Sequence, residues 1–253
     1  MSKENLEVKK KGIVRILVEY VNGVISTGTG FVYKNNGNIF TCGHVITSMD
    51  LKILVKNPDF ISTSGNNIHE KTKNYCDQKI RSIKAEYYDG MVRNLKLGII
   101  DEFYDIAQLI PIRATNSTQF LSINSNYIFD YCDSVFFCGY QLMNGYSADK
   151  SPLAINYGIV STFGNIEVAG GKYKMIQINS ITLGGNSGGP VFITGNEEVV
   201  AILNGNMNWG RDDLVVSDSD GNNQTSSLRT PLSIGYITSF KLLKDKSLLS
   251  GEL

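Results

Sequence analysis

Short apolar runs rich in Val, Ile, Tyr and Phe, broken by clusters of Gly, Asn and Ser, recur along most of the chain. Such runs read as β-strands and the clusters between them as turns. The candidate strands are GIVRILVEYV, STGTGFVYKN, GNIFTCGHVI, LKILVKN, IKAEYYDG, DIAQLIPI, SVFFCGYQ, INYGIVSTFG, YKMIQINSI, GPVFIT and EVVAILNGN. So many strands with so few long helical periods predict an all-β fold, either a barrel or a sandwich. Helical spacing is clearest near the end, in TSFKLLKDKSLL, where Phe240, Leu242, Leu243 and Leu248 fall on one stripe. Two polar stretches, Ile61 to Gln78 and Ser217 to Ser227, read as solvated loops. The chain contains no internal repeat.

Composition narrows the function classes. A chain of 253 residues can build one large domain or two smaller units sharing an interface, and a hydrophobic fraction of 42% is ample for a core. Lys plus Arg and Asp plus Glu are both 24, so the basic excess that a nucleic-acid partner needs is missing. The opening MSKENLEVKKKG has no apolar signal-peptide core, and no stretch approaches the roughly 18 apolar residues of a membrane span. The expectation is a cytoplasmic protein with no membrane span. Cys42, Cys76, Cys132 and Cys138 lack zinc-type spacing, so free thiols and no metal or cofactor are expected. Cys132 and Cys138 both read as small core residues on one strand.

One segment concentrates glycine around a serine: ITLGGNSGGPVF, Ile181 to Phe192. Glycine in ordered structure is destabilising by roughly 0.5–1 kcal/mol, so a cluster marks a turn or a close backbone approach. A tight turn leading into a strand after Pro190 is one reading. A nucleophile loop, with Ser187 exposed and backbone N–H groups aimed at a developing oxyanion, is the other. An activated serine needs a base, and the chain has only two histidines. His69 lies in the polar stretch NNIHEKTKN and reads as exposed, whereas His44 ends an apolar strand in NIFTCGHVI. The acid that would orient it is best sought at Asp105, heading the apolar DIAQLIPI; Asp101 and Asp89 have more polar neighbours. Chain order discriminates further. Gly185-Asn186-Ser187-Gly188-Gly189 also fits an α/β-hydrolase elbow, but no histidine follows Ser187, as that fold requires. The order His44, Asp105, Ser187 is that of the chymotrypsin arrangement.

With these residues in place the sequence resembles trypsin-like serine peptidases of the chymotrypsin fold, in particular the HtrA/DegP-like branch. The likeness runs over roughly residues 12 to 245. It is carried by GTGFVYKNNGNIFTCGHVI, DIAQLIPI, FFCGYQ, NYGIVSTFG, IQINSITLGGNSGGPVF, VVAILNGN and SIGYITSFKLLK, in the family's order. The resemblance implies an all-β fold of two packed six-stranded antiparallel β-barrels with a C-terminal helix. Residues 1–11 would be a polar tail, 12–118 the first barrel with His44 and Asp105, and 119–253 the second barrel with Ser187 and the helix.

The same resemblance implies a serine endopeptidase using His44, Asp105 and Ser187, with an oxyanion hole from the N–H groups of Gly185 and Ser187. Pocket walls would come from Ile181, Thr182, Leu183, Asn204, Gly205 and Asn206. No carboxylate stands among them, which disfavours a basic P1 residue and favours a small or medium apolar one. Asn186 replaces the aspartate of zymogen-activated relatives, and no IVGG-type site precedes the first strand, so activation by clipping is not expected. The HtrA branch usually adds PDZ domains, and this chain ends at Leu253. The partners implied are a peptide or protein substrate, with homo-oligomerisation left open. The rival reading is a catalytically silent relative that binds peptides or partners; an esterase is a second.

Overall fold

The computed structural model describes residues 3–47, 68–101, 104–113, 119–142, 151–168, 171–206, 211–217, 223–229 and 234–245. Six strands close the first barrel: β1 (Ile13–Tyr20), β2 (Ile25–Val32), β3 (Ile39–Thr41), β4 (Ile80–Tyr87), β5 (Val92–Asp101) and β6 (Ile106–Pro111). Their order around the barrel is β1-β2-β3-β6-β5-β4, all neighbours antiparallel. The second barrel closes in the order β10-β11-β14-β9-β8-β7. Its strands are β7 (Ser134–Tyr140), β8 (Leu153–Val168), β9 (Gly171–Asn179), β10 (Pro190–Ile193), β11 (Val199–Asn206) and β14 (Ile234–Ser239). Closure pairs every strand on both sides and so removes exposed sheet edges. The expected pair of six-stranded antiparallel barrels is therefore what the chain forms.

The alternation within strands shows why the barrels close inward. In β4, Ile83, Ala85 and Tyr87 are buried and the intervening side chains are partly exposed, the period of two that a one-sided sheet requires. By contrast, β1 is buried along most of its length because its outer face meets the second barrel. There Arg15 donates to Glu86 at 2.7 Å and to the carbonyl of Ser151, and its guanidinium sits 4.7 Å from the Tyr140 ring. A buried guanidinium is tolerable because each of these contacts replaces water.

The C-terminal helix α4 (Phe240–Asp245) starts at Ser239, whose hydroxyl accepts from Leu242 N at 3.3 Å in the manner of an N-cap. It buries Phe240 and Leu243; Leu248 lies outside the described residues. Phe240 meets Phe31 edge-on at 6.1 Å and Phe40 at 5.6 Å, tying the end of the second barrel to the core of the first.

Several expectations need correction. Residues 3–10 of the polar N-terminal tail form helix α1 (Lys3–Lys10). Lys9 is buried, donates to the Glu197 carbonyl and lies 5.2 Å from the Phe192 ring centroid. Desolvation lowers its pKa, opposed by Glu197. Much of the polar stretch to Gln78 is helix α3 (Ile68–Lys79), anchored by buried Thr72 and Cys76 with half-buried Tyr75 beside them. Its buried stripe uses Thr and Cys, which a search for large apolar residues overlooks. Of the Ser217 to Ser227 stretch, Ser217 and residues 223–227 lie in the paired strands β12 (Arg211–Ser217) and β13 (Asn223–Arg229), and residues 218–222 lie outside the described residues. β5 was not among the candidate strands, and LKILVKN lies outside the described residues. Cys132 is exposed in a left-handed turn (φ 67°) just before β7, not in the core, whereas Cys138 on β7 is buried. Among the described residues no helix is long and apolar enough to cross a membrane.

Candidate active site

His44 sits in α2 (Gly43–Ile46), a single turn that follows β3 directly, so the strand's end fixes the imidazole's position. Asp105 precedes β6 and adopts a left-handed backbone (φ 54°), a conformation that aspartate accepts better than most residues. That turn brings the carboxylate back onto α2. Oδ2 lies 2.7 Å from His44 Nδ1 and Oδ1 accepts from His44 N at 2.8 Å, so one carboxylate orients both ring and backbone. Burial opposes ionisation of Asp105, but the adjacent imidazole and the hydrogen bonds from His44 and Asn204 outweigh it, and its pKa is held below the usual carboxylate value. An ionised acceptor places the imidazole proton on Nδ1 and leaves Nε2 free to take one.

Asn204, on β11, joins the barrels at this point. Its amide donates to Asp105 Oδ2 at 3.1 Å, and its side-chain oxygen accepts from Thr238 Oγ1 at 2.8 Å. The sequence reading put Asn204 in a pocket wall; its side chain also supports Asp105. Its backbone carbonyl accepts the Ser187 hydroxyl at 3.1 Å. Ser187 thus reaches the same cluster from the second barrel, with its proton directed to Asn204.

The glycine-rich loop wedges between the barrels. At Gly185 (φ 86°) a Cβ would lie 2.2 Å from the Tyr140 carbonyl, and at Gly188 (φ 87°) one would lie 2.0 Å from the Thr29 carbonyl. Only glycine fits both the dihedral and the space. Among the described residues neither Gly185 N nor Ser187 N has a backbone acceptor, which leaves two N–H donors on either side of the loop's turn. Gly184 O is drawn away by Leu142 N at 2.7 Å.

Thr29 on β2, which the sequence reading did not single out, holds the loop. Its N donates to Ser187 O at 2.8 Å, its hydroxyl donates to Gly185 O at 2.6 Å and accepts from Tyr140 N at 2.8 Å, and its carbonyl accepts from Thr41 Oγ1 at 2.7 Å. A buried threonine beside a glycine in GTGF carries no sequence signal for this; only the fold sets it against residue 185.

The other predicted positions fall as follows. Gly205 borders the serine, where a Cβ would be 3.7 Å from Ser187 Oγ. Thr182 is buried against Gly235, Leu183 is partly buried, and Ile181 is 56% exposed and so faces mostly solvent. Asn206 ends β11 opposite Gly235; its side chain, like that of His69 in α3, lies outside the description. Asn186 is wholly buried. Asp101 is buried and accepts from Tyr104 N at 2.9 Å, and Asp89 caps a turn at Met91, so neither joins the cluster.

The family model described as a trypsin-like peptidase domain matches residues 28–202. No curated protein sequence matches the chain. Among solved structures, the Rv3671c protease from M. tuberculosis, in its active form, superposes with a TM-score of 0.62 at 11% identity, over 96% of this chain and 82% of that one. At that identity the likeness establishes the fold.

Proposed function

The chain belongs to the trypsin-like peptidase domain family, and from that premise we propose that it is a serine endopeptidase of the HtrA-like branch. Ser187 is the nucleophile, His44 the general base and Asp105 the orienting acid. The observation that carries the reading is the His44–Asp105 couple, at 2.7 Å, facing a glycine loop that presents Ser187 across the barrel interface.

In this mechanism Ser187 Oγ turns from Asn204 O to the scissile carbonyl as His44 Nε2 takes its proton. Asp105 stays ionised and stabilises the imidazolium. The oxyanion is received by the N–H groups of Gly185 and Ser187. His44 then protonates the leaving amine, and water hydrolyses the acyl-enzyme by the same proton route in reverse. A pocket bordered by Thr182, Leu183 and Gly205, without a carboxylate, takes an uncharged P1 side chain; Ile181, Asn204 and Asn206 complete the proposed set. A peptide-library profile dominated by Lys or Arg at P1 would overturn this specificity.

Fluorophosphonate labelling with mass mapping tests the assignment. The expected adduct is on Ser187 in wild type and is lost in Ser187→Ala and His44→Ala proteins that remain folded. Absence of labelling in folded wild type would favour the second reading, a latent or silent protease-fold binding module. The hydrogen bond from Ser187 Oγ to the Asn204 carbonyl is the observation on its side.

A further inference from the structure

The sulfur of Cys42, an imidazole nitrogen of His44 and a carboxylate oxygen of Asp105 all lie within 4.8 Å of one another. Linear spacing concealed this set, because Asp105 arrives from β6 and Cys42 and His44 are separated by a single glycine. Gly43 allows the close approach: a Cβ there would lie 3.4 Å from Asp105 Oδ1. The thiol is fully buried and bonds the Leu203 carbonyl at 3.1 Å. The Asn204 amide nitrogen sits 3.9 Å from the sulfur and 3.1 Å from Asp105 Oδ2, so one amide supports two members of the set from behind.

We infer that Cys42, His44 and Asp105 form an inhibitory site for a thiophilic divalent cation of the zinc class. The inference rests on the proposed role of His44 as base. Thiolate, imidazole and carboxylate suit Zn²⁺, and three protein ligands leave a fourth position for water. Zinc bonds of about 2.0–2.3 Å place ligand atoms roughly 3.5 Å apart, so the widest pair must close by up to about 1.3 Å while His44 Nδ1 and Asp105 Oδ2, now 2.7 Å apart, open by a little under 1 Å. Binding displaces the thiol proton to solvent and transfers the imidazole proton from Nδ1 to Nε2, while the +2 ion is matched by thiolate and carboxylate. Nε2 then carries a proton and cannot accept that of Ser187, so the nucleophile is switched off without any change of fold.

The test uses the full chain freed of metal by chelation, with Zn²⁺ titrated against fluorophosphonate labelling and Co²⁺ titrated against the thiolate-to-cobalt charge-transfer absorption. Cys42→Ala and Cys42→Ser are compared with wild type, and Mg²⁺ is the control. The expected result is stoichiometric cobalt binding with a thiolate band in wild type, no such band in either variant, and Zn²⁺ inhibition weakened roughly tenfold or more, with metal-free labelling retained. Equal Zn²⁺ inhibition in Cys42→Ala, or a cobalt band that survives both substitutions and so belongs to Cys76, Cys132 or Cys138, overturns the site. A wild type that binds cobalt through Cys42 yet labels with no probe supports the metal site and counts against the peptidase reading alone.

Discussion

At the scale of single residues, the site depends on atoms that cannot be enlarged. Gly185 combines φ 86° with a Cβ position 2.2 Å from a backbone carbonyl that is itself part of β7. Neither partner can yield without moving the strand. Gly185→Ala is therefore expected to turn the 184–185 peptide and remove one of the two proposed oxyanion donors, lowering kcat by roughly 10²- to 10³-fold in protein that is also destabilised by roughly 1–3 kcal/mol through the strained dihedral. Steady-state kinetics beside a denaturant titration checks it; activity within a few-fold of wild type would show that Gly185 N is not an oxyanion donor. Asn204 carries the opposite lesson. Its place in ILNGN suggested a pocket wall and gave no sign that its amide bonds Asp105 and Thr238.

At the scale of elements, β2 holds the serine loop through one residue, by its backbone N–H and its hydroxyl. Thr29 Oγ1 serves Gly185 O and Tyr140 N together, so the glycine-rich loop, the end of β7 and the first barrel meet at one atom. Thr29→Val keeps shape and removes both bonds, leaving a buried donor and a buried acceptor unpaired at a cost of roughly 1–3 kcal/mol. Thr29→Ser should restore most of it. Chemical denaturation of the two variants decides, and equal stability of Val and Ser proteins would show the bonds to be unimportant. Strand-level reading succeeded where apolar runs alternate or are bounded by glycine, as in β1, β6 and β7. It failed at α3, where Thr72 and Cys76 rather than large apolar residues form the buried face.

At the scale of the whole molecule, Asp105 links pH to the joining of the barrels. Its bonds to His44 lie within the first barrel, and its bond from Asn204 crosses to the second. Because its folded pKa is below the unfolded value of about 3.9, its contribution to stability is complete above that value and is lost as pH falls through the lower, folded pKa. Thermal unfolding of wild type should therefore decline more steeply below about pH 4 than that of Asp105→Asn; parallel profiles would refute the linkage. The sequence alone determined the strand-rich class and the glycine clustering around Ser187 and pointed to His44 and Asp105, because alternation, glycine clustering and residue rarity are local properties of a chain. Tertiary structure alone decided that one Asp105 carboxylate meets both the ring and the backbone N–H of His44, that Thr29 and Asn204 support the loop and the acid, and that Cys42 stands beside them both. Those contacts join segments far apart in sequence, and their geometry is set only when each barrel closes and the two pack together.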